Sequence, residues 1–84
     1  MQNEMMDLIL LEMYIRVRTL ENPEDNPVES AQVSHAIGVM LEELVFNCES
    51  LLEEGFLQVS TISTPPLLYL THRGVARAKR LMAA

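Results

Sequence analysis

Between Gly38 and Gly55 the chain places Leu41, Leu44, Val45, Cys48, Leu51 and Leu52 at i, i+3, i+4, i+7, i+10 and i+11. That spacing gathers all six on one side of an α-helix and on neither side of a strand, so residues 41–54 read as an amphipathic helix. Gly38 suits the left-handed cap of a preceding helix, and Gly55 stops this one. From Phe56 to Ile62 the segment has β-branched residues and partial alternation, as in a strand. The segment therefore reads as a short helix, a tight turn, a long helix and a strand. The outer face of the long helix carries Glu42, Glu43, Phe46, Asn47, Glu49, Ser50 and Glu53, with no Lys or Arg.

The flanking stretches complete one small domain spanning residues 1–84. Over 4–20, Met6, Ile9, Leu10, Met13, Val17 and Leu20 form a helical stripe that would cover the core. Leu8, Leu11 and Ile15 form a second, narrower stripe on another face of the same helix. Single exposed apolar residues are ordinary on a small domain, but a contiguous apolar stripe is the kind of surface that packs on another chain. We expect these three residues to form a homodimer or partner interface.

Residues 21–27 are a loop, because two prolines and two asparagines among three acids do not continue a helix. Asn26 as N-cap, Pro27 at the first helical position and Glu29 three residues after the cap predict a helix over 27–37. Its core face would be Val33, Ala36 and Ile37, with Ser34 small enough to admit a crossing helix. A hairpin is expected over 56–70, turning at Ser63, Thr64, Pro65 and Pro66. Thr71 then caps a last helix over 72–82, with Val75, Ala78, Leu81 and Met82 on its apolar side.

Gly38, Leu51 and Gly55, with Phe56 and Leu57 opening a strand, are followed by Tyr69, Leu70, Thr71, His72, Arg73 and Gly74. In that order these residues resemble the winged-helix regulators of the MarR and PadR type. There, a glycine in the helix-turn-helix turn precedes a leucine and then a glycine that closes the recognition helix. The wing of those proteins often returns through an aromatic, a Leu-Thr pair and a glycine. The resemblance covers about residues 27 to 76. It implies a mainly α winged helix-turn-helix with a small β-hairpin, in the order α-α-α-β-β-α, and a DNA-binding repressor. Met40 departs from the pattern, since Ser, Thr or Asp normally caps the recognition helix.

Charge points elsewhere. The formal net charge is −6, and no Lys or Arg occurs between Thr19 and Leu70. A helix in the major groove reads base edges with Arg, Lys, Asn, Gln or Ser while nearby cations hold phosphates. Here Asn47 and Ser50 are set among glutamates, which repel a duplex whose affinity for proteins comes mainly from Lys and Arg. Arg73, Arg77, Lys79 and Arg80 on the last helix are candidate phosphate contacts. They are equally explained by the helix dipole and by pairing with the domain's own acids.

Catalytic chemistry is sparse. Cys48 lies on the buried stripe of its helix, the opposite of what a Cys-His nucleophile needs. Two histidines and one cysteine supply no spaced metal-ligand set, and there is no Gly-rich phosphate loop. No enzymatic activity and no cofactor are expected. A single cysteine fits a reducing compartment, and no apolar run approaches the roughly 20 residues of a membrane span, so a cytoplasmic location is expected. The expected role is protein contact, with Phe46 as an apolar anchor ringed by Glu42, Glu43, Asn47 and Glu49 facing a basic partner.

Overall fold

The computed structural model describes residues 2–84, with side chains described from Glu4 onward. The elements are α1 (Gln2–Val17), β1 (Val28–Glu29), α2 (Ser30–Ile37), α3 (Leu41–Glu53), β2 (Leu57–Ser60), β3 (Leu67–Leu70) and α4 (His72–Ala83), with a single 3-10 turn at Pro23–Asp25. The chain is thus mainly helical with a small antiparallel sheet. Among the described residues no helix is long and apolar enough to cross a membrane.

α1 contributes Ile9, Leu10, Met13 and Val17 to the core, all buried. At about 1.5–3 kcal/mol for each fully buried aliphatic side chain, this face is the largest single contribution from any helix. The helix ends at Val17, short of the expected Leu20. Leu20 is 45% exposed, so extending the helix to it would bury little, and Pro23 follows closely.

The start of α2 also differs from the expected one at Pro27. Val28 and Glu29 extend instead and pair with Leu68 and Leu67, which buries Val28. Asn26 does not cap the helix: its side-chain amide donates to the carbonyl of Asn22 at 2.8 Å and closes the loop. Glu29 stands at the N-cap without a side-chain capping bond. The later start shifts the inward face to Ser30, Val33, Ser34 and the half-buried Ile37, leaving Ala36 exposed.

Gly38 and Gly55 end their helices in the same way. Gly38 has φ +73°, its N–H donates to the His35 carbonyl, and the Val39 N–H donates back to Ser34. At φ +83°, Gly55 donates to Leu52, and Phe56 donates to Leu51 at 2.9 Å. This paired arrangement satisfies the last carbonyls and requires the left-handed conformation that glycine alone adopts without strain.

The sheet has the order β1-β3-β2, with β3 central: Leu68 pairs with Val28 on one side and Val59 on the other. The expected hairpin is present with shorter strands, and the two-residue β1 is an addition to the expected order. Leu57, Leu68 and Leu70 face inward against Leu44, Cys48 and Leu51 of α3, Val33 of α2, and the α1 stripe. α4 closes the domain over α1 through Val75 and Ala78. Thr71 caps α4, its hydroxyl accepting from the Gly74 N–H at 3.0 Å and donating to the Gly55 carbonyl at 2.6 Å.

Candidate functional site

α3 buries Leu44, Asn47, Cys48 and Leu51, and this sets what its other faces present. Phe46 is 59% exposed, and Glu42, Glu43, Glu49 and Glu53 are exposed on the turns around it. Glu42 lies one turn before Phe46 and Glu49 one turn after it, so the aromatic ring is bracketed by carboxylates along the helix. Glu42 and Glu43 also occupy the first turn, where the helix dipole favours negative charge.

Asn47 does not belong to this surface, contrary to its expected partner-binding role. It is buried, and its side-chain amide donates to the Glu43 carbonyl one turn earlier at 2.8 Å. The reason is spacing: position 47 is i+3 from Leu44 and i−4 from Leu51, so it lies at the edge of the inward stripe.

Beside the acidic face, α3 and the hairpin enclose an apolar groove of about 270 Å³. Val45, Cys48 and Leu52 line it from the helix, Val59, Thr61, Pro66 and Leu68 from the hairpin side, and Glu49 is the charged residue among them. By helical spacing Glu49 is one turn from both Val45 and Phe46, so it separates the groove from the Phe46 ring. Leu52 is 42% exposed at the groove, and Ile62 at the hairpin tip is 95% exposed. Helical periodicity reveals Phe46 and its glutamates; the groove depends on how the hairpin folds back on α3.

The basic residues of α4 are divided. Arg73, Arg77 and Arg80 recur at i, i+4 and i+7 along one face, whereas Lys79 points to another, where it lines a surface hollow with Arg18 and Tyr14. Arg77 donates to Asp7 of α1 at 3.3 Å, and with Asp7 and Glu54 it lines a cavity of about 230 Å³. The Arg73 guanidinium sits 5.0 Å over the Phe56 ring. Two of the four cations are therefore engaged within the domain.

On α1, Leu8 and Ile15 are 49% and 54% exposed, while Leu11 between them is half-buried. The second stripe thus exists as a surface feature of the folded domain.

Burial pushes the Cys48 thiol up to about 12, so it stays protonated and unreactive at neutral pH. His35 is exposed, and His72 lies 3.0 Å from Glu24 at the protein surface. Among the described residues no three His, Cys, Asp or Glu side chains are grouped to hold a metal ion.

Comparison of the chain with protein-family models, with curated proteins and with solved structures finds no match.

Proposed function

We propose that this chain is a small winged-helix regulatory module that works through protein contacts, with weak or no DNA binding. What supports the winged-helix reading is the arrangement of three helices, a glycine turn between the second and third, and a hairpin paired to a short strand ahead of α2. The observation that carries the functional reading is on α3. An apolar groove and an exposed Phe46 lie side by side there, both edged by carboxylates, on the helix that would otherwise enter a DNA groove.

The occupant that fits is a basic, amphipathic protein segment. Its apolar side chains would enter the groove and cover Phe46, and its Lys or Arg residues would meet Glu42, Glu49 and Glu53. A nucleic-acid-binding protein offers such segments, so the module would serve as an adaptor or antagonist of one. The α1 stripe supplies a separate contact surface toward another protein chain.

A duplex-DNA titration at low and moderate salt tests this reading. Little binding even at low salt is expected, while tight binding that falls steeply with salt would turn the assignment to a DNA-binding repressor using Arg73, Arg77, Lys79 and Arg80. In parallel, a helical Lys/Leu peptide should bind the wild type and lose affinity in both Phe46→Ala and Glu49→Lys. Equal affinity in all three proteins would remove α3 as the contact surface.

A further inference from the structure

β3 has a neighbour on each side, but β2 pairs only with β3 and leaves one edge of the sheet open. Which backbone groups face that edge follows from one bond. The Thr71 N–H donates to the Phe56 carbonyl at 3.2 Å, just outside the Leu57–Leu70 pair, and opposed residues of an antiparallel ladder alternate between bonded and non-bonded pairs. Gln58 and Ser60 therefore exchange bonds with Tyr69 and Leu67, while Leu57 and Val59 turn their N–H and C=O groups away from β3. Leu57 is fully buried and Val59 half-buried, so the edge becomes accessible at Val59. Among the described residues no backbone bond from another element reaches the outward groups of Val59.

Edge strands are ordinarily protected by charge, proline or a bulge. From Leu57 to Ile62 there is no charged residue and no proline, and the register from Leu57 to Ser60 runs without a bulge. The opposite edge of the sheet is already taken by an extended segment, since Val28 and Glu29 pair with β3 there and Val28 is buried.

Val59 and Thr61 lie on one side of their strand, and both line the apolar groove against α3. A residue set opposite Val59 on an added strand would direct its side chain to that same side. The groove also holds Glu49, which has no ion-pair partner among the described residues, and no Lys or Arg lines it. We propose that β2 accepts an added strand: an extended protein segment pairs with the backbone of Val59, sends an apolar side chain into the groove and brings a Lys or Arg to Glu49. A second copy does not meet that description. Joined edge to edge through β2, two copies would set α3 beside α3 on one face of the shared sheet, acid against acid, with no base for Glu49.

The inference rests on the groove being a contact surface and adds the conformation of what binds there. Two peptides of one composition separate the two claims, the first with Leu and Thr alternating between Lys ends, the second with the same residues at helical spacing. Titrated against the intact chain, the alternating peptide should bind about tenfold more tightly, because only it pairs with the Val59 backbone. Hydrogen exchange at the Val59 N–H should slow in that complex, and N-methylation along the peptide should weaken binding at every second position.

Val59→Pro removes the outward N–H and leaves the ladder bonds in place, so it should weaken the alternating peptide about tenfold, whereas Val59→Ala keeps the N–H and should weaken it less. Thermal unfolding checks that both variants keep the fold. Equal affinity for the two peptides, with unchanged exchange at Val59 and no alternation in the N-methyl series, would overturn the added strand. Loss of both peptides in Glu49→Lys would then leave the groove standing as a contact surface. No binding of either peptide to the wild type would overturn both.

Discussion

The α-carbon of Gly74 lies against the carbonyl oxygen of Phe56, leaving no room for a side chain at position 74. That carbonyl cannot retreat freely, because it also accepts the Thr71 N–H at 3.2 Å, and Thr71 is itself bound to Gly55. The end of α3, the start of β2 and the start of α4 are thus joined at one point. Gly74→Ala should cost about 1–3 kcal/mol as an overpacked site. Thermal unfolding would register a fall in Tm on the order of 10 °C, and an unchanged Tm would mean that the junction yields without cost.

Ser30 predicts the opposite sign. It is fully buried, and its hydroxyl has no hydrogen-bond partner among the described residues, while its backbone N–H donates to Pro66. Replacing the hydroxyl with hydrogen removes an unsatisfied polar group and keeps the backbone bond. Ser30→Ala should be neutral or stabilising by up to about 1 kcal/mol in urea unfolding. A clear destabilisation would show that the hydroxyl has a partner in solution.

Two neighbouring positions on α3 should separate stability from binding. Leu44→Ala removes a fully buried side chain and should cost about 2–5 kcal/mol. Phe46→Ala should change stability by no more than about 0.5 kcal/mol, since most of that ring already meets solvent. Chemical unfolding of the two variants makes the comparison directly. A large loss in Phe46→Ala would place the ring in the fold rather than on a binding surface.

Cys48 should make the domain sensitive to alkali. Its thiol ionises at about 9.0 when solvated and is pushed up to about 12 by burial. Between those values the unfolded chain gives up the proton and the folded chain keeps it. The unfolded state then binds fewer protons, so stability falls as pH rises through this window. Urea unfolding at pH 8 and pH 10.5 should show a larger decline for the wild type than for Cys48→Ala. Thiol-labelling reagents should modify Cys48 slowly until the protein is unfolded. Equal declines together with rapid labelling of the folded protein would contradict the burial.

The sequence makes the long elements legible because each carries its own periodicity. α1, α3 and α4 all lie close to their expected ranges, and Gly38, Gly55 and Thr71 cap where their local chemistry indicates. β1 is not legible in this way. Val28 and Glu29 follow an Asn-Pro pair that also suits a helix start, and what extends them is pairing with Leu68 and Leu67, far along the chain. On the candidate site, the exposure of Phe46 and its glutamates follows from the α3 pattern. Asn47 is polar, yet its spacing from Leu44 and Leu51 puts it on the buried edge of α3. The groove has no local signature, since half of its wall comes from the hairpin.

The central place of β3 limits how the hairpin can move. Leu68 is held between Val28 and Val59, so β3 is paired on both edges next to the turn, and residues 61–66 lie outside the ladders. At the edge of that free segment, Pro66 both lines the groove and accepts the N–H of Ser30, the first residue of α2. A load applied at the groove therefore reaches the first residue of α2 through the backbone hydrogen bond from Ser30 to Pro66, beside the β1–β3 pairing. The turn of the hairpin is thus tethered, at Pro66, to the helix ahead of the glycine turn.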